Sequence, residues 1–176
     1  MPRIPFVPAD IKEPKALVDA VRARRGGELL ELDRLLLHSP PLTEGWNFHL
    51  NQVRTKLSLD SKLRELAMCG VAVINKAEYE YKAHLPLFVK AGGTEEQGKA
   101  LRNMESATKD TRLFNEIERA TIALTYEMTE HVKVSEATFA AAKKALGNDR
   151  LLVELVGVIA TYNMVSRFLV AFDLHP

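Results

Sequence analysis

The sequence has only one cysteine, Cys69, among its 176 residues. A single cysteine excludes an intramolecular disulfide and any two-thiol redox couple within one chain. An excess of one charge is also missing, because 24 Lys and Arg residues are matched by 23 Asp and Glu residues, which leaves a net charge of +1. This balance provides no field that would attract a phosphate backbone, so we expect no nucleic-acid partner.

Membrane, secretion and nucleotide signals are missing as well. The most apolar stretch, residues 151–172, is interrupted by Glu154, Asn163 and Arg167, whereas a bilayer span needs about 20 predominantly apolar residues. The N-terminus has no basic segment followed by an apolar one, and no Gly-rich phosphate-binding motif occurs. The five histidines show no metal-ligand spacing. We therefore expect a cytoplasmic protein that lies outside the membrane and holds no metal.

The chain has the length and the signals of one helical domain. Alternating β-branched runs that would predict strands are absent, whereas helical periodicity recurs along most of the chain. Four prolines in the first 14 residues predict an extended arm, or a segment lying on a neighbouring chain. The prediction is an all-α, single-domain bundle of about eight helices, with the arm and first helix in residues 1–27 and the main helical domain in residues 28–176.

Capping residues place several helix starts. Asp60 is a good N-cap for the apolar stretch that follows it. Asn75 with Glu78 forms a capping box, as does Thr94 with Gln97, so a new helix is predicted to start at each.

The stretch "RELAMCGVAVINKAEYEYKAH", residues 64–84, combines titratable side chains with an apolar run. If a helix starts at Asn75, Glu80 and His84 stand four residues apart on one face. Glu65 lies on the preceding helix and reaches the same point if the two helices pack together. Titratable groups that converge in a low-dielectric setting shift one another's pKa values, which acid–base chemistry near neutrality requires.

A structural interpretation of these residues stays open. A Glu–His pair four residues apart is common on exposed helix faces, and Glu65 has Lys62 and Arg64 nearby as salt-bridge partners. Tyr79 and Tyr81 suit a core or an interface as well as a site.

At these residues the sequence resembles the carboxymuconolactone decarboxylase and alkylhydroperoxidase D family. The family hallmark is a glutamate, a first cysteine twelve positions on, a second cysteine three further and a histidine four further. Here these positions hold Glu65, Ala77, Glu80 and His84, so the spacing matches while both cysteines are absent. The resemblance extends over residues 28–172, through "LLLHSPPLTEGWNFHL" and the Tyr-Asn pair of the last helix.

The resemblance implies the decarboxylase-like branch, because the peroxidase branch needs both thiols. It implies a cofactor-independent lyase that acts on a small lactone or keto acid. His84 would transfer a proton, Glu80 would be its partner or the acid that protonates a carbanion, and Glu65 would orient the imidazole. The residues implied to line the substrate pocket are Tyr79, Trp46, Asn47 and His49.

The resemblance also implies a homo-oligomer, from dimer to hexamer. Two rival functions remain: a non-catalytic oligomeric binding or scaffold member of the family, and a thiol peroxidase that uses Cys69. We regard the peroxidase as the weakest, since Cys69 lies on an apolar helix that is predicted to be buried.

Overall fold

The computed structural model describes residues 2–175, which contain helices and no strand. The helices are α1 (Lys15–Arg25), α2 (Glu31–Leu36), α3 (Pro40–Thr55), α4 (Ser61–Ile74), α5 (Glu78–Lys90), α6 (Glu95–Ala100), α7 (Met104–Ala107), α8 (Glu116–Glu130), α9 (Glu136–Leu146) and α10 (Asp149–Ala171). The predicted all-α class is confirmed, with ten helices in this range where about eight were expected. One helix predicted to start after Thr94 is divided, because Asn103 accepts a hydrogen bond from the amide of Ser106 and starts α7.

The chain forms two compact units, of which the first comprises the residues up to Leu57 together with Phe172–His175. The N-terminal arm of this unit lies on its own chain. Arg34 Nε donates to the carbonyl of Val7 at 2.8 Å, and Arg22 donates to the carbonyl of Ala9 at 2.7 Å. The unit boundary at Leu57 differs from the sequence boundary after residue 27, which stays a prediction.

The prolines of the first unit initiate α3. Pro40 and Pro41 occupy the first positions of α3. The N–H groups in the first turn of a helix have no acceptor within the helix, so the N–H groups that proline lacks are not missed there. The fixed φ angle of proline is also close to the helical value.

The second unit, Ser58–Ala171, is arranged around α4. Helices α5, α8 and α10 all pack against α4, so most of its surface is covered. Its nine buried residues form one continuous stretch apart from Arg64: Leu63, Glu65, Leu66, Ala67, Met68, Cys69, Gly70, Val71 and Ala72. An apolar helix enclosed on three sides is the environment in which a carboxylate such as Glu65 requires a partner.

The corner between α4 and α5 corrects one sequence prediction. Asn75 does not start the next helix: it is the C-cap of α4, and α5 begins at Glu78 after Ala77. The Asn75 side chain donates to Asn163 Oδ1 at 3.0 Å and to Ser166 Oγ at 2.7 Å. Both contacts use the Asn75 side-chain N–H₂ group, and they hold the side chain against α10.

The long helix α10 is more apolar than the sequence analysis allowed for. By length and composition alone, Asp149–Ala171 could cross a membrane, although 44% of its most apolar window is buried within the protein. Its buried face packs on α4, α8 and α9. Packing in the core therefore accounts for part of its composition, and the cytoplasmic location stays a prediction.

Candidate functional site

The centre of the site is a buried ion-pair geometry between Glu65 and His84. Glu65 Oε2 lies 2.7 Å from His84 Nδ1, and the two residues are 6% and 3% exposed. An ionised carboxylate accepts hydrogen bonds only, so the Nδ1 atom carries the proton. In a neutral imidazole with its proton on Nδ1, the Nε2 atom carries the lone pair.

A short connection between α4 and α5 produces this contact. The amide of Ala77 donates to the carbonyl of Ala72 at 2.8 Å, and Lys76 adopts a positive φ of 57°. The chain therefore reverses within a few residues, and α5 packs directly against α4. As a result, side chains 19 positions apart in the sequence come into contact.

Glu80 lies one turn before His84 on α5 and is 2% exposed. Burial raises the pKa of the Cys69 thiol, and the negative charges of Glu65 and Glu80 raise it further. The structure therefore places Glu65 in contact with His84, with Glu80 one turn away from His84 on the same helix.

Tyr162 of α10 is a neighbour of His84 that the sequence analysis did not place in the site. Its ring meets the imidazole edge-on, with the centroids 4.9 Å apart and the planes at 86°, and it is fully buried. The sequence signal was a tyrosine on the apolar face of the last helix, but nothing in the sequence said which helix that face meets.

Arg64 supplies a positive charge beside Glu65. Its Nε lies 3.7 Å from Glu65 Oε1, while Lys62 forms a 2.5 Å salt bridge with Glu118. The Arg64 Nε atom is buried and makes no hydrogen bond within residues 2–175. The Arg64 Nε–H group beside the Glu65–His84 pair is therefore a hydrogen-bond donor that lacks an acceptor among the described residues.

The two tyrosines of α5 differ in their surroundings. Tyr81 is buried, donates to the carbonyl of Gly98 at 2.8 Å, and has the Arg102 guanidinium 3.8 Å above its ring. Burial raises the pKa of Tyr81, so its hydroxyl stays protonated and serves packing. Tyr79 is half-buried on the same helix, and its role in binding a substrate stays a prediction.

The other predicted binding residues lie on α3 in the first unit. Trp46 is buried at 5% exposure, His49 is exposed, and Asn47 accepts a hydrogen bond from Arg24. Their predicted place beside the substrate stays a prediction.

Metal ligands are not clustered in the part of the chain that the structure describes. No group of three or more His, Cys, Asp or Glu side chains there could hold an ion.

The comparisons with known proteins bear on this geometry. A sequence profile described as the carboxymuconolactone decarboxylase family matches residues 40–121, a range that contains every predicted site residue. A structure from Agrobacterium tumefaciens, described as a protein of unknown function and putative antioxidant defence protein AhpD, superposes with a TM-score of 0.72 at 18% identity. That match covers 81% of this chain and 95% of the other. Residues 40–121 of the chain are therefore similar to the carboxymuconolactone decarboxylase family.

Two further solved structures share this fold. An uncharacterized peroxidase-related protein from Silicibacter sp. TM1040 matches with a TM-score of 0.79 at 18% identity, over 99% of this chain and 90% of that one. The debrominase Bmp8, solved with 2,3,4-tribromopyrrole, matches with a TM-score of 0.79 at 14% identity, over 97% and 90% of the two chains. No curated protein sequence matched the chain. Identities this low establish the fold and leave the reaction open.

Proposed function

We propose that this protein is a member of the carboxymuconolactone decarboxylase family. Its proposed activity is that of a cofactor-independent lyase that removes carbon dioxide from a small lactone or keto acid. The observation that carries the proposal is the buried Glu65–His84 contact with Glu80 one turn away. A buried imidazole held by one carboxylate and close to a second has the components of proton transfer near neutral pH.

In the proposed reaction the bond between the substrate and its carboxylate carbon breaks, and carbon dioxide leaves. The electron pair moves into an adjacent unsaturated carbonyl as an enolate. The enolate carbon then takes a proton from His84 Nε2, once water has protonated the imidazole to its charged form, or from Glu80 in its protonated carboxyl form. Water afterwards returns the proton to the donor. Glu65 keeps the imidazole in one orientation and stabilises its charged form while the proton moves.

Arg64 gives the proposal a binding group for the substrate carboxylate. Glu65 and Glu80 both repel an anion, so a carboxylate substrate needs a cation close by. The buried Nε of Arg64, which has no hydrogen bond within the described residues, can meet that need with a charge-assisted bond.

The experiment measures carbon dioxide released from carboxymuconolactone and a panel of small lactones and keto acids. We expect His84→Gln to lower kcat by about 10²–10⁴-fold, the usual worth of a general acid–base group. Arg64→Gln should raise KM more than it lowers kcat. The matched control is His131→Gln, because His131 is exposed after α8.

A binding or scaffold role is the second candidate, because Glu65, Glu80 and His84 are at most 6% exposed. Such burial suits a polar contact that only stabilises the core. No release of carbon dioxide from the panel, together with an imidazole NMR signal of His84 that no compound shifts, would favour this role. Release that His84→Gln leaves unchanged would exclude the proposed mechanism.

A further inference from the structure

A groove with a volume of about 690 Å³ runs between α1 and α3 in the first unit. Its volume falls within the roughly 300–1,000 Å³ of typical small-molecule sites. Leu17 of α1 and Phe48 of α3 form part of its apolar wall. Phe48 is 67% exposed, so a ligand with an apolar body would remove a large aromatic surface from water.

The polar side of the groove is built on Arg24. Its side chain is only 11% exposed, its Nη2 lies 3.2 Å from Asp33 Oδ1, and its Nε donates to Asn47 Oδ1. Its Nη1 makes no hydrogen bond within residues 2–175. One edge of a mostly buried guanidinium is therefore available to an acceptor in the groove.

Positive charge is in surplus at this point. Asp33 already receives two hydrogen bonds from Arg25, at 2.8 and 3.0 Å, so one carboxylate serves two guanidiniums. Burial lowers the pKa of Arg24 to about 10, and the positive charge of Arg25 contributes to the shift. An anion in the groove would supply the missing negative charge.

The α3 wall adds polar groups beside the guanidinium. Asn47 and Asn51 are four residues apart, so their carboxamides lie on one face, and amide N–H₂ groups donate hydrogen bonds. Glu44 also lines the groove and opposes an anion, but it is exposed and its charge is screened by solvent. The side-chain amides of Asn47 and Asn51 lie on the same side of the groove as the buried Arg24 guanidinium, where solvent screens charge least.

We propose that the groove between α1 and α3 binds a small aromatic carboxylate, with its carboxylate on Arg24 and its ring against Phe48. This site is independent of the acid–base pair on α4 and α5. Its ligand need not be the substrate of any reaction there.

The test titrates the ¹⁵N-labelled full chain with sodium benzoate and follows the backbone amides and the Arg24 Nε–H signal. Benzyl alcohol, which has a similar shape and no charge, is titrated in parallel. We expect saturable shifts confined to residues 14–24 and 40–51. Arg24→Gln should bind benzoate about tenfold or more weakly than the wild type does. The wild type should likewise bind benzyl alcohol about tenfold or more weakly than benzoate.

Two further variants separate binding from folding. Phe48→Ser alters an exposed residue and should weaken benzoate severalfold with little effect on the fold. Leu42→Ser is its matched control, because Leu42 is an exposed apolar residue of α3 outside the groove lining, and it should leave binding unchanged.

Three results would overturn the proposal. The first is the absence of saturable shifts in the groove. The second is an affinity for benzyl alcohol equal to that for benzoate, which means an apolar groove only. The third is the absence of NMR shifts in the groove on titration with benzoate, together with a change of oligomeric state in Phe48→Ser. That result would mean that a second copy of the chain covers the groove.

Discussion

Cys69 shows how a single residue is controlled by its neighbours. It follows Glu65 by one helical turn and is 0% exposed. Burial and then the charges of Glu65 and Glu80 raise the pKa of its thiol, and the positive charge of Arg102 offsets only part of this shift. Because the thiolate is the reactive form, the surroundings of Cys69 suppress its chemistry.

We predict that the Cys69 thiol reacts with the disulfide reagent DTNB at least about a hundredfold more slowly in the native protein than in guanidinium chloride. The rate of absorbance increase measures this directly. Cys69→Ser should also leave any consumption of hydrogen peroxide unchanged. Fast labelling of the native protein, or peroxide consumption that Cys69→Ser abolishes, would restore the thiol peroxidase as a candidate.

At this scale the sequence was informative where the contact depends on local spacing. Glu80 and His84 share a face because four residues separate them on one helix. The place of Arg64 beside Glu65 could be predicted in the same way, because the two residues are neighbours in the sequence. The contact of Tyr162 with His84 could not, because it depends on which helix α10 meets.

Helices α4 and α10 place glycine in opposite environments. A Cβ atom at Gly70 of α4 would lie 2.8 Å from the Met104 Cε atom and 3.1 Å from the Thr125 Cγ2 atom. A Cβ atom at Gly157 of α10 would meet no atom within 4 Å. Close packing of α4 on its neighbours therefore depends on the missing side chain at position 70.

We predict that Gly70→Ala lowers the free energy of unfolding by up to about 2 kcal/mol. The added methyl overfills a packed contact, and the gain in helix propensity of about 1 kcal/mol offsets part of that cost. Urea denaturation followed by circular dichroism measures the change. Gly157→Ala is the matched control in a helix interior, and it should raise the free energy by up to about 1 kcal/mol through helix propensity. Equal effects of the two substitutions would show that packing at Gly70 is loose.

The start of α5 carries a pH-dependent contact. Arg102 Nη1 donates to Glu78 Oε2 at 2.9 Å, and the hydrogen bonds with Arg102 hold the pKa of Glu78 below its ordinary value of 4.5. A lowered pKa in the folded state stabilises the protein above the unfolded pKa, and this contribution is lost as the pH falls through the folded value.

We therefore predict that Glu78→Gln destabilises the protein at about pH 7, and that the difference from wild type narrows steadily below about pH 4.5. Urea midpoints over this range measure it. The exposed ion pair of Glu105 and Lys109 provides the control, since Glu105→Gln should change the midpoint little at any pH. A difference that persists unchanged in acid would mean that Glu78 contributes by packing alone.

Among whole elements, helix starts were predictable where the cap is local. Asp60 caps α4 by accepting from the amides of Lys62 and Leu63, as the sequence indicates. Asn75 fits the same local rule and was wrongly assigned as a helix start. Its carboxamide is held by α10, some 88 residues later, and no local pattern predicts that contact.

The state of assembly belongs to the whole molecule. The family resemblance implies a homo-oligomer, from dimer to hexamer, and α10 presents apolar side chains to solvent. Val153 is 70% exposed and Met164 is 41% exposed. Both side chains would lose their contact with water in a helix-to-helix interface.

We predict that the purified chain is oligomeric and that Val153→Lys combined with Met164→Lys shifts it toward the monomer. Light scattering coupled to gel filtration gives the mass. Val132→Lys is the control, because Val132 is 81% exposed in the turn after α8. A monomeric wild type, or a mass that the double variant leaves unchanged, would contradict the prediction.

The first unit is discontinuous in sequence, because the amide of Arg3 donates to the carbonyl of Phe172 at 3.0 Å. During synthesis the arm leaves the ribosome long before Phe172 is added. Domains usually fold as they emerge, the N-terminal one first. Here the order is partly reversed. Until Phe172 has been synthesised, the Arg3 amide in the arm lacks the carbonyl to which it donates in the folded protein. The first unit is therefore completed only after the residues of the second unit, Ser58–Ala171, have been synthesised.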